Sequence, residues 1–485
     1  MDTEKRKKNG HTQAKQFIGW LLTVVQLVAS VIFILTIAFL GVLPAVYLGV
    51  LAAVVTALVI LTRLLLSRSR KKKRYYAGVV ISILLSVALF AADFYLSKVN
   101  SVIEEVTGAV YETTIIGVYV LDDDPAQELE DAADYDFGYL RSYGREDTDY
   151  AIEQMEKRFG GEFSRQSYST MVDLADALYA GESQAIILSS AYVDVIADTD
   201  GYDTFAEDIR LLYTVQWEEE LETADASENV FTVLISGIDT DGAISTKSRS
   251  DVNILAVVNR NTHQVQLIST PRDYYVALSI SNGVKDKLTH AGIYGIQVTM
   301  DTIGMLYDVD VDYYFRINFT GFVELIDAMG GITVNSEVAF STGSYTFTVG
   351  ENYLDGEAAL AFVRERHAFS SGDRQRGKNQ MAVVSAVISQ MQTLSFLQNF
   401  SGFLDGVESS FETNIPSDLI TDMVKEQIAG GDSWNVASYS VDGTGDYATT
   451  YSMSQELYVM IPDEETVEYA KSLINAVLSG EEAGE

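Results

Sequence analysis

Asp251-Val-Asn-Ile-Leu-Ala-Val-Val-Asn-Arg-Asn-Thr-His-Gln-Val-Gln-Leu-Ile268 reads as two apolar strands around a polar turn. Asp251–Val258 and Gln264–Ile268 are rich in β-branched residues, and Asn259–Thr262 turns the chain between them, so the two pair as a hairpin. Phe231-Thr-Val-Leu-Ile235 upstream is another buried strand, and Tyr313-Tyr-Phe-Arg-Ile317 follows a helical stretch near Gly292–Leu306. A hairpin inside a strand–helix series predicts an α/β fold with a mixed central sheet and helices on both faces. A helix through Phe322, Val323 and Ile326 stops at Gly330-Gly331, and Ile332-Thr-Val334 is expected to return to the sheet. Asp355 caps the helix that carries Leu360 and Val363.

Charged residues gather at the strand ends: Asp239 after the first, Arg249 just before and Asp251 at the start of the second, Arg272 and Asp273 after the third. The helix after Asp355 delivers Arg364 and Arg366; in extended chain these point to the same side, a spacing suited to clamping one phosphate. The next helix is expected to begin near Arg374 with Asp373 as its cap. Asp373, Arg376 and Gln380 then share a face, beside an apolar stripe of Met381, Val384, Ile388 and Met391.

Composition divides the chain. The formal charge of -36 comprises twelve Lys/Arg against three Asp/Glu up to Ser97, and twenty-one against sixty-six from Lys98 onward. So acidic a body lacks the broad basic face that nucleic-acid binding needs, and the absence of cysteine excludes disulfides, thiol nucleophiles and thiolate metal sites. Within it, Arg249, Arg272, Lys285, Lys287, Arg364, Arg366, Arg374, Arg376 and Lys378 fall in four short segments, which concentrates positive charge for something anionic.

Phe17–Leu40, Val46–Leu66 and Ala77–Leu96 are each long and apolar enough to cross a bilayer. The clusters Lys5–Lys8 and Arg68–Arg74 belong together on the cytoplasmic side, so an odd number of spans places everything after Lys98 outside. The expected organisation is a cytoplasmic tail (1–16), three transmembrane helices (17–97) with a basic cytoplasmic loop (67–76), a small α/β accessory domain (98–216), an acidic linker (217–229) and a second external domain with a C-terminal extension (230–485). The accessory domain carries no catalytic spacing and reads as an interaction or spacer domain with an acidic, solvated surface.

Several arginines with a couple of carboxylates suit a pyrophosphate bound with a divalent ion, for which Asp239 and Asp251 are the available ligands. Each piece alone also has a bland reading, as a turn carboxylate or a surface ion pair; the joint arrangement favours a site. No Ser-His-Asp or Cys-His arrangement stands out, and His290 and His367 read as packing or supporting residues.

Ile235-Ser-Gly-Ile-Asp239, Arg249-Ser-Asp251, Thr270-Pro-Arg-Asp273, Lys285-Asp-Lys-Leu-Thr-His-Ala-Gly292, Asp327-Ala-Met-Gly-Gly331, Phe362-Val-Arg-Glu-Arg366 and Asp373-Arg-Gln-Arg-Gly-Lys-Asn-Gln380 together resemble the ordered motifs of the LytR-CpsA-Psr family. The three-span anchor and accessory domain resemble its capsule-type, CpsA-like branch. The resemblance implies a membrane-anchored extracytoplasmic phosphotransferase of a Gram-positive bacterium. It would move a glycopolymer, capsular or teichoic-type, from an undecaprenyl-pyrophosphate carrier to peptidoglycan, with magnesium or another divalent ion as cofactor. Capsule synthesis machinery would be a further partner. By motif position Asp239 and Asp251 would hold the metal, and Arg249, Arg272, Arg364, Arg366 and Arg376 the pyrophosphate, supported by Lys287 and Gln380. Asp373 would orient an arginine or accept the acceptor proton. His290-Ala-Gly292 departs from the Asn-Ala-Ala form common in the family. A polyprenyl-pyrophosphate hydrolase and a non-enzymatic membrane regulator of capsule synthesis are the alternatives.

Overall fold

The computed structural model describes residues 2–41, 43–68, 72–107, 111–141, 145–221, 229–238, 243–369, 372–393, 396, 403, 406–407, 410–430 and 433–481. The chain separates into two compact units, Met1–Glu105 with Pro416–Asp432, and Val106–Ile415 with Ser433–Glu485.

In the first unit, helices α1 (Asp2–Leu40), α2 (Ala45–Arg68) and α3 (Lys72–Thr107) follow one another. Three segments within them, Gln13–Leu40, Ala45–Ser67 and Lys72–Ser97, are long and apolar enough to span a membrane. Their mutual packing uses small residues and one polar knot. A Cβ on Gly78 would lie 2.9 Å from Leu65 Cβ, and the Gln26 side-chain oxygen accepts hydrogen bonds from Thr62 (2.8 Å) and Ser82 (2.9 Å). Such cross-helix bonds answer polar groups that lipid cannot. Asp93, near the end of the third apolar segment, accepts from Thr36 Oγ1 at 2.5 Å.

Among the described residues the second unit holds two large sheets and four two-stranded ladders. The first consists of β1 (Tyr111–Leu121), β2 (Phe137–Leu140), β3 (Arg165–Tyr168), β4 (Ala185–Ser189) and β5 (Ile209–Glu220), in the order β3-β2-β4-β1-β5. β2 runs parallel to β3 and β4, while β1 is antiparallel to β4 and β5. Helix α4 (Arg145–Phe159) covers one face through Ile152 and Met155; α5 (Met171–Tyr179) and α6 (Ser190–Ala197) cover the other through Leu174, Leu178, Val195 and Ile196. This sheet with its helices, residues 111–220, is called the accessory domain below. Trp217–Glu220, expected to open a linker, continue β5 instead, because the Trp217 ring packs edge-on against Tyr150 of α4 at 5.0 Å. Residues 222–228 of that linker lie outside the described residues.

The second sheet is built on β6 (Val230–Ile238), β7 (Ser250–Asn259) and β8 (Gln264–Thr270), an antiparallel series. The short strands β9 (Tyr275–Ala277) and β10 (Lys285–Lys287) then form a separate ladder, and a 3-10 helix (Leu288–Tyr294) leads into helix α7 (Ile296–Tyr307). The helix expected from Gly292 thus starts later, after a tighter turn. Strand β11 (Tyr313–Ile317) runs parallel to β6, and helix α8 (Phe319–Ala328) follows it. Strands β12 (Ile332–Ser336) and β13 (Gly350–Leu354) pair only with each other, so Ile332–Val334 does not rejoin the central sheet. Ile332, Val334 and Leu354 bury their side chains with Phe340, Phe347 and Phe362 in a core of their own.

Helices α9 (Gly356–Arg364) and α10 (Asp373–Met391) flank this second core. β14 (Phe411–Thr413), β15 (Asn435–Ser440) and helix α11 (Glu464–Ser479) complete the domain, with β14 and β15 as the two edges of a six-stranded mixed sheet. α7 and α11 cover one face, where Leu255, Val257 and Ile268 meet Ile303, Leu473 and Ile474. Ser269, next to Ile268, faces the opposite side by strand alternation, and there α10 approaches so closely that a Cβ on Gly377 would sit 3.0 Å from Ser269 Oγ. Helices therefore lie on both faces of the sheet.

Asp355 caps α9 as expected, accepting from Ala358 N at 2.9 Å. The cap of α10 is Gly372, at φ 48°, and Asp373 is already its first helical residue. Of the expected α10 stripe, Met381 is buried, Val384 and Ile388 are partly covered and Met391 is exposed; Val383 and Ala386 complete the buried face.

Candidate functional site

The β7–β8 hairpin register creates the first element of the site. Asn259 lies opposite Gln264 and Asn253 opposite Thr270, and the same register carried two residues further sets Asp251 across from Arg272. Arg272 Nη1 donates to Asp251 Oδ2 at 2.8 Å, and Asp251 Oδ1 accepts from Thr289 Oγ1 at 2.9 Å. Both charged side chains are 17% exposed, so the pair lies at the bottom of the strand ends, within reach of solvent.

A second, deeper pair adjoins it. Lys287 Nζ lies 2.7 Å from Asp273 Oδ1, with side chains 8% and 7% exposed, and Arg272 Nε is 3.8 Å from the other Asp273 oxygen. Lys287 reaches this position because β10 pairs with β9, opposite Tyr275. Burial pushes the Asp273 carboxyl upward, but Lys287 and Arg272, with Arg376 beyond them, outweigh it and hold the group below the usual carboxylate range. Arg376 is thereby brought to the site by α10, whose close approach at Gly377 sets its position.

The remaining cations of the 364–378 stretch divide. Arg374 pairs with Asp442 at 2.7 Å and Lys378 with Glu337 at 2.9 Å, exposed ion pairs of the kind that contribute little. Arg364 ends α9 with its guanidinium 4.3 Å from the centre of the Phe319 ring, and Arg366 Nε donates to His367 Nε2 at 3.3 Å. Both arginines are exposed, and among the described residues neither has a carboxylate partner. Gln380 is partly buried on α10. Asp239 lies outside the described residues, and of Asp373 only the backbone is described.

Arg249 pairs across domains. Its Nη1 is 2.5 Å from Asp198 Oδ2, and Nη2 is 4.0 Å from Asp194 Oδ2, both carboxylates belonging to the accessory domain. Acidic residues within an acidic domain gave no signal in sequence that would have singled these two out. Thr289 was equally silent, a lone hydroxyl whose role depends on the turn that follows β10.

Asp286, His290 and Ser452 also meet, but not as a catalytic triad. Asp286 Oδ1 (2.7 Å) and Ser452 Oγ (2.9 Å) both contact the same ring nitrogen, Nδ1, and the His290 side chain is 1% exposed. A triad needs its nucleophile and its orienting carboxylate on opposite nitrogens. This cluster instead fixes the 3-10 helix, where Gly292 meets the backbone beside Arg249: a Cβ there would lie 2.4 Å from Ser248 O and 2.8 Å from Ser250 N. That contact is the physical reason for glycine at the third place of His290-Ala-Gly.

What the arrangement can do is bind a polyanion. Guanidinium groups and a buried ammonium converge with two carboxylates at one end of a sheet, without an evident nucleophile among the described residues. The LytR_cpsA_psr family model matches residues 204–467. The chain belongs to this family. The chain is 34% identical over 230 residues to the polyisoprenyl-teichoic acid–peptidoglycan teichoic acid transferase TagU of Bacillus subtilis (strain 168), covering 47% of this chain and 73% of the relative. The enzyme of the same name from Enterococcus faecalis is 35% identical over 208 residues, covering 42% and 68%. Among solved structures, B. subtilis TagV is similar with a TM-score of 0.45 and 26% identity, over 52% of this chain and 99% of that one. The three long apolar helices α1–α3, β1–β4 and α4–α6 precede the residues matched by the LytR_cpsA_psr model.

Proposed function

We propose that this LytR_cpsA_psr member is a phosphotransferase that moves a glycopolymer from a polyprenyl-pyrophosphate carrier onto peptidoglycan, working outside the cytoplasmic membrane. The observation that carries the reading is the Arg272–Asp251–Thr289 group beside Lys287, Asp273 and Arg376 at one end of the central sheet. The names of the two relatives, both polyisoprenyl-teichoic acid–peptidoglycan teichoic acid transferases, support it.

In this reading Arg249, Arg272 and Arg376 hold the two phosphates, while Arg364 and Arg366 close on them from the end of α9. Arginine forks suit phosphate oxygens and offset the charge that develops during transfer. Lys287 and Asp273 keep Arg272 in place. The acceptor hydroxyl oxygen, a muramic-acid 6-hydroxyl in this reading, forms a bond to the glycopolymer-linked phosphorus. The bridging P–O bond on the lipid side breaks, and polyprenyl phosphate leaves. Asp373 is the proposed acceptor of the hydroxyl proton, or else the group that orients an arginine. Gln380 supports the phosphates from the same helix face.

Asp251, with Asp239, is the proposed place for magnesium or a related divalent ion. The donor set fits a hard cation, for Asp251 is a partly solvent-reached carboxylate beside the phosphate position, and magnesium takes one or two such groups plus phosphate oxygens. When bound, the ion neutralises pyrophosphate charge. The polymer is proposed to be capsular polysaccharide or a teichoic-type chain, and the three spans to hold the domain on the outer face.

The test uses the full chain in detergent with a polyprenyl-pyrophosphate-linked oligosaccharide and peptidoglycan fragments. A phosphodiester-linked product, lost in Arg272→Ala by about 100-fold or more, is the expected outcome. Free oligosaccharide phosphate alone would favour the hydrolase, and no reaction with retained polymer binding would favour the regulator.

A further inference from the structure

The segment between β6 and β7 that ends in Arg249 is held by the accessory domain at three places. Thr113 of β1 donates its N–H to Ser245 O at 2.7 Å and accepts from Lys247 N at 2.9 Å, a parallel bridge around Thr246. Lys247 Nζ is 3.5 Å from Glu219 Oε2 of β5. Arg249 itself is anchored on Asp198, which closes α6, and faces Asp194 one turn earlier.

The platform that presents these carboxylates is fixed. Tyr192, Val195 and Ile196 of α6 share one buried cluster with Ile293, Met453 and Leu457 of the second domain. The Tyr192, Tyr294 and Tyr451 rings form a continuous contact, with centroids 6.4 and 5.9 Å apart. A shared apolar cluster of this kind opposes relative movement of the two parts.

We propose that the accessory domain is a positioning element of the site: Asp198, with Asp194 beside it, holds the Arg249 guanidinium for the pyrophosphate, and β1 holds the segment that carries it. The inference rests on the reading of Arg249 as a phosphate-binding residue. An arginine side chain loses considerable rotamer freedom when it is ordered, and anchoring Nη1 before the substrate arrives removes that cost from binding. The side chain of Arg249 is only 12% exposed, as expected of a group aimed in advance. Asp194, Asp198 and Thr113 all precede the matched residues 204–467, so this device lies in the part of the chain that the family match does not cover.

The test measures farnesyl pyrophosphate binding by calorimetry and turnover with the lipid-linked donor, on the full chain in detergent. Asp198→Ala is expected to raise Kd and KM by about 10-fold and leave kcat within about twofold. Asp198→Glu should restore most of the affinity, and Asp198→Ala should have no further effect in an Arg249→Ala background. Tighter binding by Asp198→Ala would mean that the carboxylate occludes the arginine, and overturns the proposal. An equal loss in both backgrounds would assign Asp198 to folding alone, and also overturns it. If Arg249→Ala leaves Kd unchanged, the phosphate-binding reading of Arg249 fails and this inference with it. If Arg249→Ala weakens binding and Asp198→Ala does not, only the positioning role fails.

Discussion

Glu112 and Arg316 form an ion pair across the two large sheets of the second unit, with Oε1 and Nη1 2.5 Å apart and both side chains 3% exposed. Glu112 also accepts the N–H of Ile296 at the start of α7 at 3.0 Å, and Arg316 reaches Glu412 with Nη2 at 2.9 Å. A buried pair adds little over an apolar replacement, but removing one partner strands the other charge. Arg316→Met strands both Glu112 and Glu412 and is therefore expected to cost about 3–5 kcal/mol, read by denaturant unfolding, whereas joint replacement of Glu112, Arg316 and Glu412 by methionine costs much less. Equal losses in the two variants would refute this account of the junction.

The Lys287–Asp273 pair gives a pH prediction. The folded-state pKa of Asp273 lies below its ordinary value, so its stabilising contribution is complete above the unfolded pKa of about 3.9 and fades as pH falls through the folded value. The wild-type unfolding free energy should drop more steeply below pH 4 than that of Asp273→Asn. Parallel acid limbs would contradict the assigned shift.

Gly292→Ala places a methyl group against the Ser248 carbonyl, a backbone atom that cannot rotate away. The expected loss is about 1–3 kcal/mol in stability. Because the displaced backbone adjoins Arg249, affinity for a polyprenyl pyrophosphate should fall as well. An alanine variant with unchanged melting temperature and affinity would show that the 3-10 helix can shift freely.

Arg364 rests on Phe319 at the surface, a cation–π contact worth about 0.5–1 kcal/mol at such a site. Arg364→Ala combined with Arg366→Ala should consequently leave the melting temperature within a few degrees while polymer retention on the cell wall is abolished. Attachment that persists in cells without a paralogue would remove both arginines from the proposed site.

Much of the site's framework was legible in the residues themselves. The apolar runs Asp251–Val258 and Gln264–Ile268 with their polar turn determine a hairpin, and once Asn259 faces Gln264 the pairing of Asp251 with Arg272 follows from strand register alone. Asp355 could be read as a cap because capping is local, and the three spans because twenty apolar residues in a row have few other uses. Local rules faltered where two choices differ little. Gly372 displaced Asp373 as the cap of α10, and Ile332–Val334 found its partner in β13 because strand pairing depends on what else is near.

The sequence by itself determined the mixed α/β class, the three helices long and apolar enough to span a membrane, and the family, because periodicity, hydropathy and ordered motifs are properties of the chain read along its length. Only the tertiary structure decided that Asp198 holds Arg249, that Lys287 lies buried on Asp273, and that Gly292 abuts Ser248. Those relationships join residues from 14 to 51 positions apart whose types are ordinary in their own surroundings. An ion pair or a backbone contact is set by distance in space, and folding alone supplies it.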